Sequence, residues 1–201
     1  MASVLRTISD LGDTAVLLPV ALALTALVWR FQSWAAAVCL SLAFAFCLLT
    51  MLILKISFIA CSPMWHVTIV SPSGHASFSA AAYGALGLIA ARHAQRWQRP
   101  IIAVICLLVI AGVALSRVAL GSHTAAEMAL GLAVGLFALG LFTVFYMRLR
   151  PGRVNVALLF GVVAAILFAF HGLRLPAEEW IRHLAGTFKL LTGACTTVEI
   201  E

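Results

Sequence analysis

The sequence predicts an all-α fold: a polytopic membrane protein built as a six-transmembrane-helix bundle. Three observations carry this. The chain is 64% hydrophobic and 10% charged, where a soluble domain averages roughly 45–50% apolar and about 25% charged residues. Its mean hydropathy is +1.11. Apolar runs near the ~20 residues needed to cross a bilayer recur along its length. A single membrane-embedded domain over residues 1–201 accounts for the chain, and no soluble domain fits around it. The net charge of +6 does not indicate nucleic acid, because the arginines form no continuous patch. They stand in short clusters between apolar runs, which is orientation information for a membrane.

The spans fall at approximately 14–30, 34–54, 75–91, 100–116, 124–146 and 154–172. The first follows Arg6, Asp10 and Asp13 and runs for the length of a full span, so it reads as a retained helix rather than a signal peptide. Lys55 ends the second span and His75 opens the third; Arg117 ends the fourth and His123 opens the fifth. Two connecting stretches are longer than the rest. Residues 55–74 are mixed in polarity. Residues 173–201 form an amphipathic tail in which Pro176, Glu178 and Glu179 make a helix-start pattern. Trp180, Ile181, Leu184 and Phe188 recur there at helical spacing, which favours a helix lying in the membrane interface over a lid.

The loops after the first, third and fifth spans hold Arg30, then Arg92, Arg96 and Arg99, then Arg148, Arg150 and Arg153. They are short and dense in arginine, so they are expected on the cytoplasmic side. Both termini and the residues Lys55, His75, Arg117 and His123 then share the opposite, periplasmic or external face. The inner membrane of a bacterium is the expected location. The five cysteines show no zinc spacing. They read as free thiols, with a bond between Cys61 and Cys195 as the alternative.

Ionisable groups where apolar segments meet water are costly and usually functional. A phosphate in a partly dry pocket needs positive charge and directed N–H donors. Lys55 offers a point charge and Arg117 a bidentate fork. Ser73 and Gly74 precede a helix whose free N–H groups and positive dipole end attract anions. The Ser73 hydroxyl is a further donor. His123 and Glu127, four residues apart, fall on one helix face. The carboxylate orients the imidazole, which is left to attack phosphorus. His75 is the candidate general acid for the leaving oxygen. Nothing in this scheme requires a metal or another cofactor.

These residues resemble the type 2 phosphatidic acid phosphatase family of the acid phosphatase–vanadium haloperoxidase superfamily. The family pattern is Lys-x6-Arg-Pro, Pro-Ser-Gly-His and Ser-Arg-x5-His-x3-Asp. Pro72-Ser73-Gly74-His75 completes the second block, and Ser116-Arg117 through His123 to Glu127 matches the third with Glu for Asp. The first runs from Lys55 to Ser62-Pro63, with Ser62 where the family has arginine. The resemblance implies a metal-independent phosphatase with a phosphohistidine on His123. It makes His75 the acid, and Lys55, Ser73, Gly74 and Arg117 the phosphate-binding set. His66, Arg6 or a tail arginine is expected to compensate in part for Ser62. The expected substrate is a lipid phosphate or diphosphate. A lipid phosphotransferase and a catalytically impaired lipid-binding or transport protein are the alternatives. The expected partners are the substrate and membrane lipids. His93, His171 and His183 read as solvated or interfacial, and Gly131-x3-Gly135 as a close-packing pair.

Overall fold

The computed structural model describes residues 2–65, 69, 71–149, 152–173 and 175–192. Eight helices and no strand occur among them: α1 (Ala2–Asp10), α2 (Thr14–Phe31), α3 (Trp34–Trp65), α4 (Gly74–His93), α5 (Gln98–Ala119), α6 (Ala125–Arg148), α7 (Val156–Phe170) and α8 (Ala177–Thr192). Every expected span coincides with a helix. Four stretches are long and apolar enough to cross a membrane, namely Ser3–Phe31, Trp34–Cys61, Gln98–Ala119 and Ala125–Arg148. The other two expected spans fall short of that mark for separate reasons. α4 is rich in Ala, Gly and Ser, and α7 has only 15 residues.

α4 is the axis of the bundle. Its residues from Ala76 to Ala90 are almost all buried, and α5 and α6 pack along it, with α3 on a further side. Small residues make this possible. A Cβ on Gly131 or Gly135 of α6 would run into the backbone oxygens of Ser73 and Ser77 on α4. This is the close packing expected of that pair, and it presses the start of α6 against the start of α4. The outward faces carry large apolar side chains, including Leu22, Leu42, Leu107, Leu108 and Phe137. Such a surface suits hydrocarbon and would be a liability in water.

α3 departs from the expected boundary. The helix does not stop at 54 but continues to Trp65, with one non-helical residue at Cys61 (φ −110°, ψ 16°). Lys55 therefore lies within the helix and is buried, its charge paired rather than placed in water. Cys61 is disulfide-bonded, which corrects the expectation of free thiols; Cys195 lies outside the described residues. Cys39, Cys47 and Cys106 are free.

Candidate active site

Three chain turns build the site. The first closes α5. Gly121 takes φ 66°, and the N–H groups of Gly121 and Ser122 donate to the oxygens of Val118 (2.9 Å) and Arg117 (3.0 Å). This double bond pattern with a left-handed glycine is a Schellman cap. It reverses the chain so that His123 returns beside Arg117.

The second turn opens α6. Thr124 is the N-cap and Glu127 the third helical residue, and they exchange bonds as a capping box: Glu127 N–H to Thr124 Oγ1 (3.2 Å) and Thr124 N–H to Glu127 Oε2 (3.0 Å). The same Oε2 stands 3.2 Å from His123 Nδ1. His123 thus precedes the helix rather than sharing its face. The pair meets because the capping carboxylate curls back over the helix start, a reach that glutamate has at this position. Glu127 Oε1 accepts from Ser71 N–H (2.9 Å), which ties the carboxylate to the segment before α4.

The third turn opens α4. Ser73 is its N-cap, and its Oγ accepts from Ala76 N–H (3.4 Å) while its own N–H donates to Glu127 O (3.1 Å). Ser73 is fully buried and does not face the cavity. Capping uses Oγ as an acceptor and gives Ser73 a structural role beside the expected one of hydroxyl donor. Ser116 likewise donates inward, to Val113 O (2.7 Å).

A cavity of about 800 Å³ lies between these turns, lined by Lys55, Gly74, His75, Arg117, His123 and Glu127 among others. All the residues expected to act or to bind phosphate, Ser73 excepted, therefore share one space. Lys55 passes close to the α4 N-terminus, with its Cε 3.6 Å from where a Gly74 Cβ would stand. Burial pushes the proton affinity of His123 below that of ordinary imidazole; Glu127 opposes this, while the charges of Arg117 and Lys55 add to it. A lowered value keeps the ring neutral and able to attack.

Other residues of this cavity carry no comparable mark in the sequence. Asp13 lies 3.5 Å from His75 Nε2. Glu178 and Arg182 come from α8, which packs on α3 and forms one wall of the cavity with Leu175 and Ile181. The tail is therefore part of the site, against the expectation of a helix lying only in the interface. Glu178 forms an ion pair with Lys55, which also donates to Ser71 Oγ (3.0 Å). Burial works against the Glu178 charge, but the bond and charge of Lys55, with Arg182 and His123 adding, hold its carboxyl below the usual range. Of the groups expected to compensate for Ser62, Arg182 lines the cavity and Arg6 does not. His66 and the Ser62 side chain lie outside the described residues. The signals for Asp13 and Glu178 are faint: an acid capping an apolar run, and an acid opening the tail helix.

The PAP2 superfamily model matches residues 36–151, more than half of the chain. The chain belongs to the PAP2 superfamily. No curated protein and no solved structure matches it. Superfamily membership supports phosphoric ester hydrolysis at a general level, and the long apolar helices indicate an integral membrane protein. The matched region of this PAP2 chain holds Lys55, His75, Arg117, His123 and Glu127. Asp13, Glu178 and Arg182 lie outside it.

Proposed function

We propose that this PAP2 protein hydrolyses a phosphate monoester or diphosphate on a lipid, through a phosphohistidine on His123. One observation carries the reading: His75 and His123 line the same cavity with Lys55 and Arg117. The His123 Nε2 lone pair forms a bond to phosphorus as the bond to the leaving oxygen breaks. That oxygen takes a proton from His75. A water then attacks the phosphohistidine, gives its proton to the now neutral His75, and inorganic phosphate leaves. Lys55, Arg117 and the free amides at the start of α4 hold the negative charge that shifts through the transition state. Glu127 fixes the tautomer of His123 through Nδ1 and stabilises the imidazole as it becomes cationic.

The lipid part of the reading rests on the apolar outer surface and on the cavity wall contributed by the amphipathic helix α8. The orientation rests on the arginine-dense loops at the end of the bundle away from the site, with exposed Trp29, Trp34 and Trp97 beside them. The site then faces the periplasm or exterior.

The test is phosphate release by purified protein from a panel of lipid phosphates and diphosphates, with excess chelator. Turnover that survives chelation and disappears in both His75→Ala and His123→Ala is the expected result. Release that depends on an added acceptor lipid marks a phosphotransferase. Retained turnover in His123→Ala overturns the proposal.

A further inference from the structure

The turn between α1 and α2 rests on the residue that the proposed chemistry uses as an acid. Gly12 packs so closely that a Cβ there would meet the Val113 side chain and stand 3.3 Å from His75 Cβ. Tyr83 Oη donates to Leu11 O (2.7 Å), fixing the turn to α4. Asp13 then presents Oδ2 to His75 Nε2 at 3.5 Å, while its Oδ1 accepts from Ala15 N–H (2.9 Å) as the cap of α2. One turn earlier, Ser9 Oγ accepts from Arg117 Nη1 (3.2 Å). The same short stretch therefore touches both His75 and Arg117, and it lies outside the region that matches the superfamily.

Each imidazole in the cavity has its own carboxylate: Glu127 for His123 and Asp13 for His75. The two pairs are built differently. Glu127 belongs to the same turn as its histidine; Asp13 reaches its histidine from a separate element, the turn between α1 and α2. Charges facing His75 from the packed elements are Asp13 on the α1–α2 turn, Lys55 on α3 and Arg117 on α5. Burial of the ring, the largest influence, and these two cations discourage its protonated form; Asp13 is the anion that opposes them.

We infer that Asp13 is a positioning residue for His75: it accepts at Nε2, favours the protonated ring, and leaves the other ring nitrogen to donate to the leaving oxygen. The inference rests on the hydrolase reading for the role of His75. The Asp13–His75 pair itself does not depend on it. Its consequence is selective. A leaving group that departs easily without a proton needs neither His75 nor Asp13. An alkoxide leaving group needs both.

Asp13→Asn separates this role from capping, since asparagine caps a helix as well as aspartate does. Two measurements on the full chain in detergent decide the matter. The first follows the His75 ring by NMR through a pH titration, with His75→Gln to assign the signal. Asp13→Asn should lower the His75 midpoint by about one pH unit or more, as loss of an adjacent opposite charge does. The second compares turnover of a long-chain alkyl phosphate with that of p-nitrophenyl phosphate. The alkyl substrate should lose kcat by a factor on the order of 10², the scale of general-acid assistance, with KM nearly unchanged. The aryl substrate should lose less than about three-fold by the same reasoning. An unmoved His75 midpoint, or equal losses on both substrates, overturns the role of Asp13. A wild-type protein that releases no phosphate sinks the hydrolase reading, and the titration then decides the pair alone. A thermal melt of Asp13→Asn equal to wild type checks that the cap has survived.

Discussion

The two ends of α4 carry the same kinds of residue in opposite conditions. At its C-terminal end Arg92 donates to the carbonyls of Tyr146 and Leu149 (2.7 Å each) and stacks over the Tyr146 ring (4.8 Å). His93 bonds to Gln32 (2.9 Å), which also accepts from Tyr146 Oη (3.0 Å). His93 is thus part of a closed network and not simply solvated, as its loop position suggests. The cation there meets the negative end of α6 and needs nothing more. At the N-terminal end Arg117 and Lys55 line a cavity, and the backbone groups nearby are the N–H groups that start α4 and α6. Cations set beside positive helix ends around open space attract an anion into that space. The contrast teaches that the number of polar groups does not mark a site; charged groups and helix N–H ends that face an open cavity do.

The sharpest way to break this comparison is to exchange losses between the ends. His123→Ala should lower kcat on the order of 10⁴-fold or more, as removal of a nucleophile does, with thermal stability nearly intact. Arg117→Ala should cost about 10²–10³ in kcat/KM, the scale of a lost transition-state charge partner. Arg92→Ala should do the reverse. Two bonds from a charged donor are lost, so stability falls by on the order of 2 kcal/mol. Meanwhile kcat/KM of the folded fraction stays within about two-fold, because distant sites that share no partner act independently. Paired melts and kinetics of the three variants check this, and an Arg92→Ala protein that is stable but inactive contradicts the division of labour.

The packing pair between the ends is the next target. Gly131→Ala pushes a methyl into Ser73 O, where only backbone stands. The helices must part, at about 1–3 kcal/mol for overpacking. Because Ser73 N–H donates to Glu127 O across the same contact, kcat should fall together with stability. Gly140→Ala, which meets nothing within 4 Å, should leave both unchanged.

Much of this is legible in the chain, and the reasons differ by element. The helices over residues 14–31 and 98–119 follow from apolar length alone. The end of α3 is misread because a lysine looks like a boundary in sequence, whereas Glu178, 123 positions away, pairs with it and lets the helix continue. His75, Arg117 and His123 stand out because each sits at the edge of an apolar run. The His123–Glu127 contact is expected from helical spacing and arises instead from a capping box, so the right pair comes from the wrong geometry. Asp13 escapes notice because one acid near a helix start has an ordinary role as a cap, and the sequence holds no local sign of its second one. Long-range pairing of this kind depends on how the bundle closes.

Acidity separates the two histidine environments further. His123 is held below the ordinary imidazole value by burial and by the cations of Arg117 and Lys55. As the proposed nucleophile it would attack only when neutral, so the acid limb of kcat/KM should lie below about pH 6.5, the unperturbed imidazole value. Glu127 favours the protonated ring, so Glu127→Gln should move that limb to still lower pH while the plateau falls. A limb above about 6.5, or one that moves upward in Glu127→Gln, contradicts the assignment of His123 as the group that must lose its proton.

The smallest effect concerns the wall that α8 adds. Glu178 occupies the partner position on Lys55 that an incoming phosphate would take. With Lys55 as the proposed phosphate ligand, substrate would compete with an internal carboxylate that stays charged through neutral pH, since its carboxyl is held below the usual range. Glu178→Gln should therefore lower KM for an anionic substrate by about three- to ten-fold, the modest scale of a partly exposed charge pair, with kcat changed less. The same pair also docks α8. A depressed carboxyl stabilises the docked helix above its unfolded value of about 4.3, and that contribution is lost as pH falls through the folded value below it. Hydrogen exchange of the α8 amides should rise on acidification in wild type and show no such step in Glu178→Gln. A KM that rises in the variant would mean that Glu178 helps to hold the substrate, by keeping Lys55 or Arg182 in place, rather than standing in for it.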